Sequence, residues 1–136
     1  MLTMSLRRRH SPGFTMIELL IVVSLIAVLA GMAMAQYRHS VTLAKEATLK
    51  EDLYQMRNAL DQYYADKQQY AQSLDALVTD GYLRFVPKDP FTGTIDSWQI
   101  IQAEPDPSNP DVQPGIFDVK SGSEGSAVDG SKYSEW

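Results

Sequence analysis

Apolar and polar positions fall into three regimes along the chain. Residues 14–35 form a nearly unbroken apolar run of twenty-two positions in which Glu18 is the only charge. As a helix rising about 1.5 Å per residue this run is about 33 Å long, enough to cross a bilayer core of about 30 Å. Beyond Gln36 the pattern turns amphipathic: Leu49, Leu53, Met56, Leu60 and Tyr63 recur at intervals of four and three, with Lys45, Lys50, Glu51, Asp52, Arg57 and Asp61 on the opposite positions. That spacing predicts a helix whose apolar stripe packs on a globular domain and whose charged face meets solvent. No proline falls between Phe14 and Val86, so a single helix is predicted from Phe14 to about Ala65. Gly31 is its one weak position, costing about 1 kcal/mol relative to alanine, and is where a bend or local melting is most readily accommodated.

Shorter elements follow. Ser73 reads as an N-cap, Leu74, Leu77 and Val78 as one apolar face, and Gly81 as the closing residue of a short helix. Asp89-Pro90-Phe91 and Thr92-Gly93 have turn chemistry. Residues 98–102 and 116–120 read as two short strands, expected to pair as an antiparallel hairpin on the long helix. Between them residues 104–114 hold four prolines and no period, the signature of a surface loop. Residues 121–136 are rich in Gly and Ser, a composition expected to be flexible, with Tyr133 and Trp136 as possible tethers. The fold class is therefore α+β: a long N-terminal helix packed on a small antiparallel sheet, with a Gly-rich C-terminal loop. An apolar segment of 14–35 precedes a globular domain of 36–136, which comprises an amphipathic helix at 36–66 and a short helix and β region at 73–136.

Charge is unevenly placed. Arg7, Arg8 and Arg9 are three of the twelve basic residues, whereas all seventeen acidic residues lie beyond Gly13. Loss of the first thirteen residues would move the formal net charge from −5 to −8, a poor balance for nucleic acid, which demands clustered Lys and Arg. Divalent cations and basic protein surfaces suit it better. The chain has no cysteine, which excludes disulfides, thiolate metal sites and a cysteine nucleophile. His10 and His39 are the only histidines, and neither a zinc pair, a Ser-His-Asp set nor a nucleotide-binding Gly motif occurs. Glu51-Asp52 sits on a polar helix face as solvated charge. Catalysis is not expected.

The N-terminal run admits three readings. Ala33-Met34-Ala35 resembles a signal-peptide cleavage site, but the apolar run exceeds the usual 7 to about 15 residues of such peptides and contains Glu18. A plain single-pass anchor, with the arginines cytoplasmic, leaves Glu18 unexplained, since a carboxylate in a membrane helix is costly and usually has a partner or a task. The third reading starts from the string G-F-T-M-I-E-L-L-I-V-V at residues 13–23, preceded by basic residues. It resembles the type IV pilin and pseudopilin family, whose leader is cut after a glycine and whose new N-terminal phenylalanine is methylated. The resemblance implies that residues 1–13 are the leader, that Gly13 is its last residue, that Phe14 is the methylated first residue of the mature chain, and that Glu18 meets the amine of a neighbouring subunit during filament assembly.

Residues 73–93, S-L-D-A-L-V-T-D-G-Y-L-R-F-V-P-K-D-P-F-T-G, resemble more narrowly the major, G-type pseudopilins of type II secretion. That likeness implies a single-pass bacterial inner-membrane protein with its C-terminal domain in the periplasm. It would polymerise with copies of itself and with minor pseudopilins into a periplasmic or surface filament. The implied partners are prepilin peptidase/methyltransferase, an inner-membrane assembly platform and an outer-membrane secretin, with no nucleic acid. G-type pseudopilins also have a calcium-ordered C-terminal loop, and the resemblance points to Glu124 and Asp129 as carboxylate ligands for Ca2+. This loop is shorter and poorer in acids than the family pattern. The alternatives are a type IV pilus subunit for adhesion or motility, and a secreted or membrane-anchored acidic binding module.

Overall fold

The computed structural model describes residues 12–136. Arg7, Arg8, Arg9, His10 and most of the expected leader lie outside the described residues. The described residues divide into two units, 12–39 and Ser40–Trp136.

Helix α1 runs over Met16–Lys67, 52 residues, against the expected 14 to about 65. It continues unbroken through Gly31. It stops at Gln68, whose φ of 54° is left-handed. There the Gln68 side-chain amide donates to the Ala65 carbonyl at 3.1 Å, occupying one of the carbonyls a helix end leaves unpaired.

Within Ser40–Trp136 the predicted stripe is the core: Leu49, Leu53, Met56 and Leu60 are buried, and Tyr63 packs at its margin. Helix α2, Leu74–Thr79, starts as expected, with the Ser73 hydroxyl oxygen accepting the Ala76 N–H at 3.1 Å. Gly81 closes it at φ 83°. Leu77 of α2 is fully buried against the stripe.

Strands β1, Gln99–Gln102, and β2, Ile116–Lys120, pair antiparallel, with Ile100 opposite Val119. The hairpin is as expected, but β1 is one residue shorter than predicted. Trp98 turns inward instead, and its indole N–H donates to the Pro87 carbonyl at 2.8 Å. All four β1 residues are exposed, so the hairpin contributes to the core through β2. The register slips between Ile101 and Gln102. A bulge of that kind adds a residue, here Phe117, and lets Ile116 and Val119, three apart, both be buried. Residues 104–112 are almost entirely exposed, in keeping with the predicted surface loop.

The tail departs from the flexibility its composition predicts. Ala127 and Tyr133 are buried, Tyr133–Glu135 forms a 3₁₀ turn, and Ser126 bridges Lys132. Long-range side-chain contacts, invisible to composition, hold it.

Candidate functional site

The N-terminal unit carries the expected assembly residues. Gly13 and Phe14 precede α1, and the Phe14 side chain is 84% exposed. Thr15 then starts the helix: its hydroxyl oxygen accepts the Glu18 N–H at 3.2 Å, and its carbonyl accepts the Leu19 N–H at 3.1 Å. Thr15-Met16-Ile17-Glu18 is the T-x-x-E pattern of a capping box, a signal present in the sequence but absorbed there into the longer motif. Glu18 thus sits in the first turn, where unpaired N–H groups and the helix dipole favour negative charge. The helix start offsets part of the cost of Glu18 at this position. Ser24, the other polar side chain of the run beyond the first turn, donates its hydroxyl to the Leu20 carbonyl at 2.7 Å, so it exposes no unsatisfied donor.

Every position from 12 to 40 is exposed. Among them Ile17, Leu20, Leu29 and Met32 are 64–69% exposed. A continuous apolar surface of this extent is foreign to water and marks a lipid or protein contact. It is one helix long and apolar enough to cross a membrane.

The second group of predicted site residues lies in the tail. Asp129 Oδ1 accepts both the N–H of Ser131, at 2.9 Å, and its hydroxyl, at 2.6 Å. Donation by the Ser131 hydroxyl, then by its N–H, holds the Asp129 carboxyl below the usual range. The Ser131 oxygen in turn accepts the Trp136 indole N–H at 2.8 Å, and the Lys50 ammonium lies 4.5 Å from the centre of the Trp136 ring system. Glu124 is exposed. Among the described residues no group of three or more His, Cys, Asp or Glu is placed to hold a metal. A cation at Glu124 and Asp129 would depend on backbone carbonyls and serine hydroxyls to reach the six to eight oxygens calcium takes.

Three further polar residues, missed at the level of sequence, hold the tail and the turn. Glu46 is buried on α1 and accepts the Val128 N–H at 2.9 Å and the Tyr133 hydroxyl at 2.8 Å. Burial, and next donation to Glu46, push the Tyr133 phenol up to about 12. Arg57, counted by pattern among the solvated charges, is half-buried: it donates to Asp118 Oδ1 at 2.8 Å and to the carbonyls of Val119 and Trp136 at 2.9 and 2.8 Å. Asp89 is fully buried. Its Oδ1 accepts the Phe91 and Thr92 N–H groups at 2.8 and 3.3 Å, and its Oδ2 accepts the Ser121 hydroxyl. The turn at Asp89 was legible locally; its junction with Ser121 was not. These side chains spend their polar atoms on the fold.

The family described as prokaryotic N-terminal methylation motif matches residues 8–34. The type II secretion system core protein G of Pseudomonas aeruginosa is 33% identical over 102 residues, covering 63% of this chain and 72% of that protein. The protein of the same description from Klebsiella michiganensis is 29% identical over 104 residues, 65% of this chain and 73% of the relative. That of Escherichia coli K12 is 26% identical over 118 residues, 69% and 81% of the two chains. No solved structure matches the chain significantly.

Proposed function

The chain belongs to the family of type II secretion system core protein G, and from that premise we propose how its two units serve a secretion filament. It is a pseudopilin, a structural subunit of a pilus-like filament, most similar to the major pseudopilin. Helix α1 first anchors the subunit in the bacterial inner membrane with the head in the periplasm, then leaves the lipid to form the filament core. Prepilin peptidase cuts after Gly13 and methylates Phe14. The new amine is then positively charged beside the Glu18 carboxylate in a water-poor layer, where opposite charges attract strongly and unpaired ones are expensive. In the filament Glu18 pairs with the amine of a neighbouring subunit and sets axial register. Copies of this chain, minor pseudopilins, the inner-membrane assembly platform and the outer-membrane secretin are the partners, and the growing filament drives proteins across the outer membrane.

The observation that carries this reading is the exposed apolar helix capped at Thr15, directly after Gly13-Phe14, in a chain with these relatives. A type IV pilus subunit or an acidic binding module accounts less well for those names. Intact-mass and N-terminal analysis of the protein from membranes tests the processing step. Methylated Phe14, dependent on prepilin peptidase, is the expected result. A chain beginning at Gln36 would instead mark a signal peptide, and an uncut one a plain anchor.

Calcium at Glu124 and Asp129 is a separate proposal, supported by the resemblance of the loop and by the carboxylates themselves. The Ser131 contacts already close the loop through protein atoms. Thermal melting of the full chain against calcium decides it: a rise in Tm at millimolar calcium supports a site, and no shift leaves the loop to its own hydrogen bonds.

A further inference from the structure

We propose that Tyr37, Arg38 and His39 form a collar that binds anionic phospholipid headgroups in the outer leaflet of the membrane crossed by α1. The inference rests on the membrane reading of residues 14–35. The α1 residues from Met16 to Ala35 rise about 30 Å, the thickness of the hydrocarbon core. Tyr37 and Arg38 therefore stand roughly 3 to 5 Å beyond the core edge, at the depth of glycerol and phosphate. Tyr37 is 67% exposed, and Arg38 and His39 are also exposed. At about 100° per residue, three consecutive positions span about 200° of the helix circumference, so the group covers more than half of it.

Each side chain suits that layer. A tyrosine seats an apolar ring and a polar tip at the interface. A guanidinium reaches phosphate oxygens with two parallel N–H donors, and its alkyl stem lies along the lipid. His39 adds a ring N–H donor.

Charge selects the headgroup. No Asp or Glu lies between Glu18 and Glu46, so no acidic residue falls within one helical turn of Arg38 or His39 along the chain. Cations beside the far end of a membrane helix also run against the tendency to keep Lys and Arg on the cytoplasmic side. A net-negative headgroup offsets that cost, whereas a zwitterionic one brings its own cation. The contact holds the unassembled subunit at one depth and is given up when the subunit leaves the lipid.

The test is electron spin resonance of the full chain in phosphatidylcholine bilayers with trace spin-labelled phosphatidylglycerol or phosphatidylcholine. For the wild type, lipid immobilised at the protein should favour phosphatidylglycerol about two- to fivefold, the scale of one cation at an anionic surface. The double variant Arg38→Gln/His39→Gln should lose part of that preference, Arg7, Arg8 and Arg9 preceding the span in both proteins, while immobilising the same amount of lipid. Parity in the wild type, or an undiminished preference in the variant, overturns the collar. If the wild type immobilises no lipid at all, the membrane reading itself fails and the collar with it.

Discussion

The Glu46 carboxylate accepts the Tyr133 hydroxyl at 2.8 Å, joining α1 to a residue 87 positions further along the chain. The same oxygen takes the Val128 N–H, so removing it strands two donors. Glu46→Ala is expected to cost about 2–4 kcal/mol, mostly as unsatisfied buried groups. Tyr133→Phe removes one donor and should cost about 1–2 kcal/mol. Urea unfolding of the full chain in detergent, read as a double-mutant cycle, checks the pair. Additive effects would mean that the hydroxyl and the carboxylate do not cooperate.

Tyr133 also sets an alkaline limit. Its folded pKa of about 12 lies above the ordinary 10.0, so the fold favours the neutral phenol. The associated stability is complete below pH 10 and is lost as pH rises through about 12. Melting temperature followed from pH 9 upward should therefore decline, and Tyr133→Phe should flatten the decline. An unchanged slope in the variant would assign the alkaline loss to other groups.

Asp52 pulls the other way. Its partial burial, and then the negative charges of Asp89 and Glu51, raise its pKa, so ionisation of Asp52 opposes folding at neutral pH. Asp52→Asn is expected to stabilise the fold at pH 7 by under about 1 kcal/mol, seen as a rise in Tm. The gain should shrink as pH falls toward the ordinary carboxylate value of 3.8, where the wild-type group becomes neutral too. Destabilisation at pH 7 would show an attractive contact at Asp52 that outweighs the repulsion.

Two glycines should respond differently to alanine. A Cβ on Gly122 would run into the Ser97 carbonyl oxygen, so backbone must move. Overpacking of that kind costs about 1–3 kcal/mol. Gly31 has nothing within 4 Å of an added Cβ, and Gly31→Ala should leave the melting of the head unchanged. Circular dichroism of both variants distinguishes them.

Glu18→Ala is expected to leave cleavage at Gly13 intact and to abolish filaments. Glu18→Gln keeps size and polarity, and the Thr15 cap bonds a backbone N–H rather than the carboxylate. Loss of filaments in both variants, seen by electron microscopy, would place the requirement on charge. Normal filaments from either would remove Glu18 from assembly.

Local chemistry was readable where a few neighbouring residues decide the outcome. The stripe from Leu49 to Tyr63 became the core because helical spacing alone brings those side chains to one face. Ser73 caps its helix, and Gly93 takes φ 74° in the predicted turn, both set by residues within one turn of chain. Arg57 was misjudged because its acceptors lie 61, 62 and 79 residues away, beyond any periodicity. The same holds for the tail, whose Gly and Ser content signals freedom while Glu46, Lys50 and Arg57 remove it. At the N-terminus the pattern identified Gly13, Phe14 and Glu18, but one described helix contains no neighbouring subunit against which their roles act.

A head built without cysteine has its distant segments fastened by Glu46–Tyr133, Arg57–Asp118 and Asp89–Ser121, contacts spanning 87, 61 and 32 residues. Covalent bridges at such separations would restrict the unfolded chain as well. These fastenings exist only in the folded one. Folding of the head therefore involves no disulfide formation, and thiol reductants have no bond in it to break. Proton activity, not redox potential, is the environmental variable to which this architecture answers.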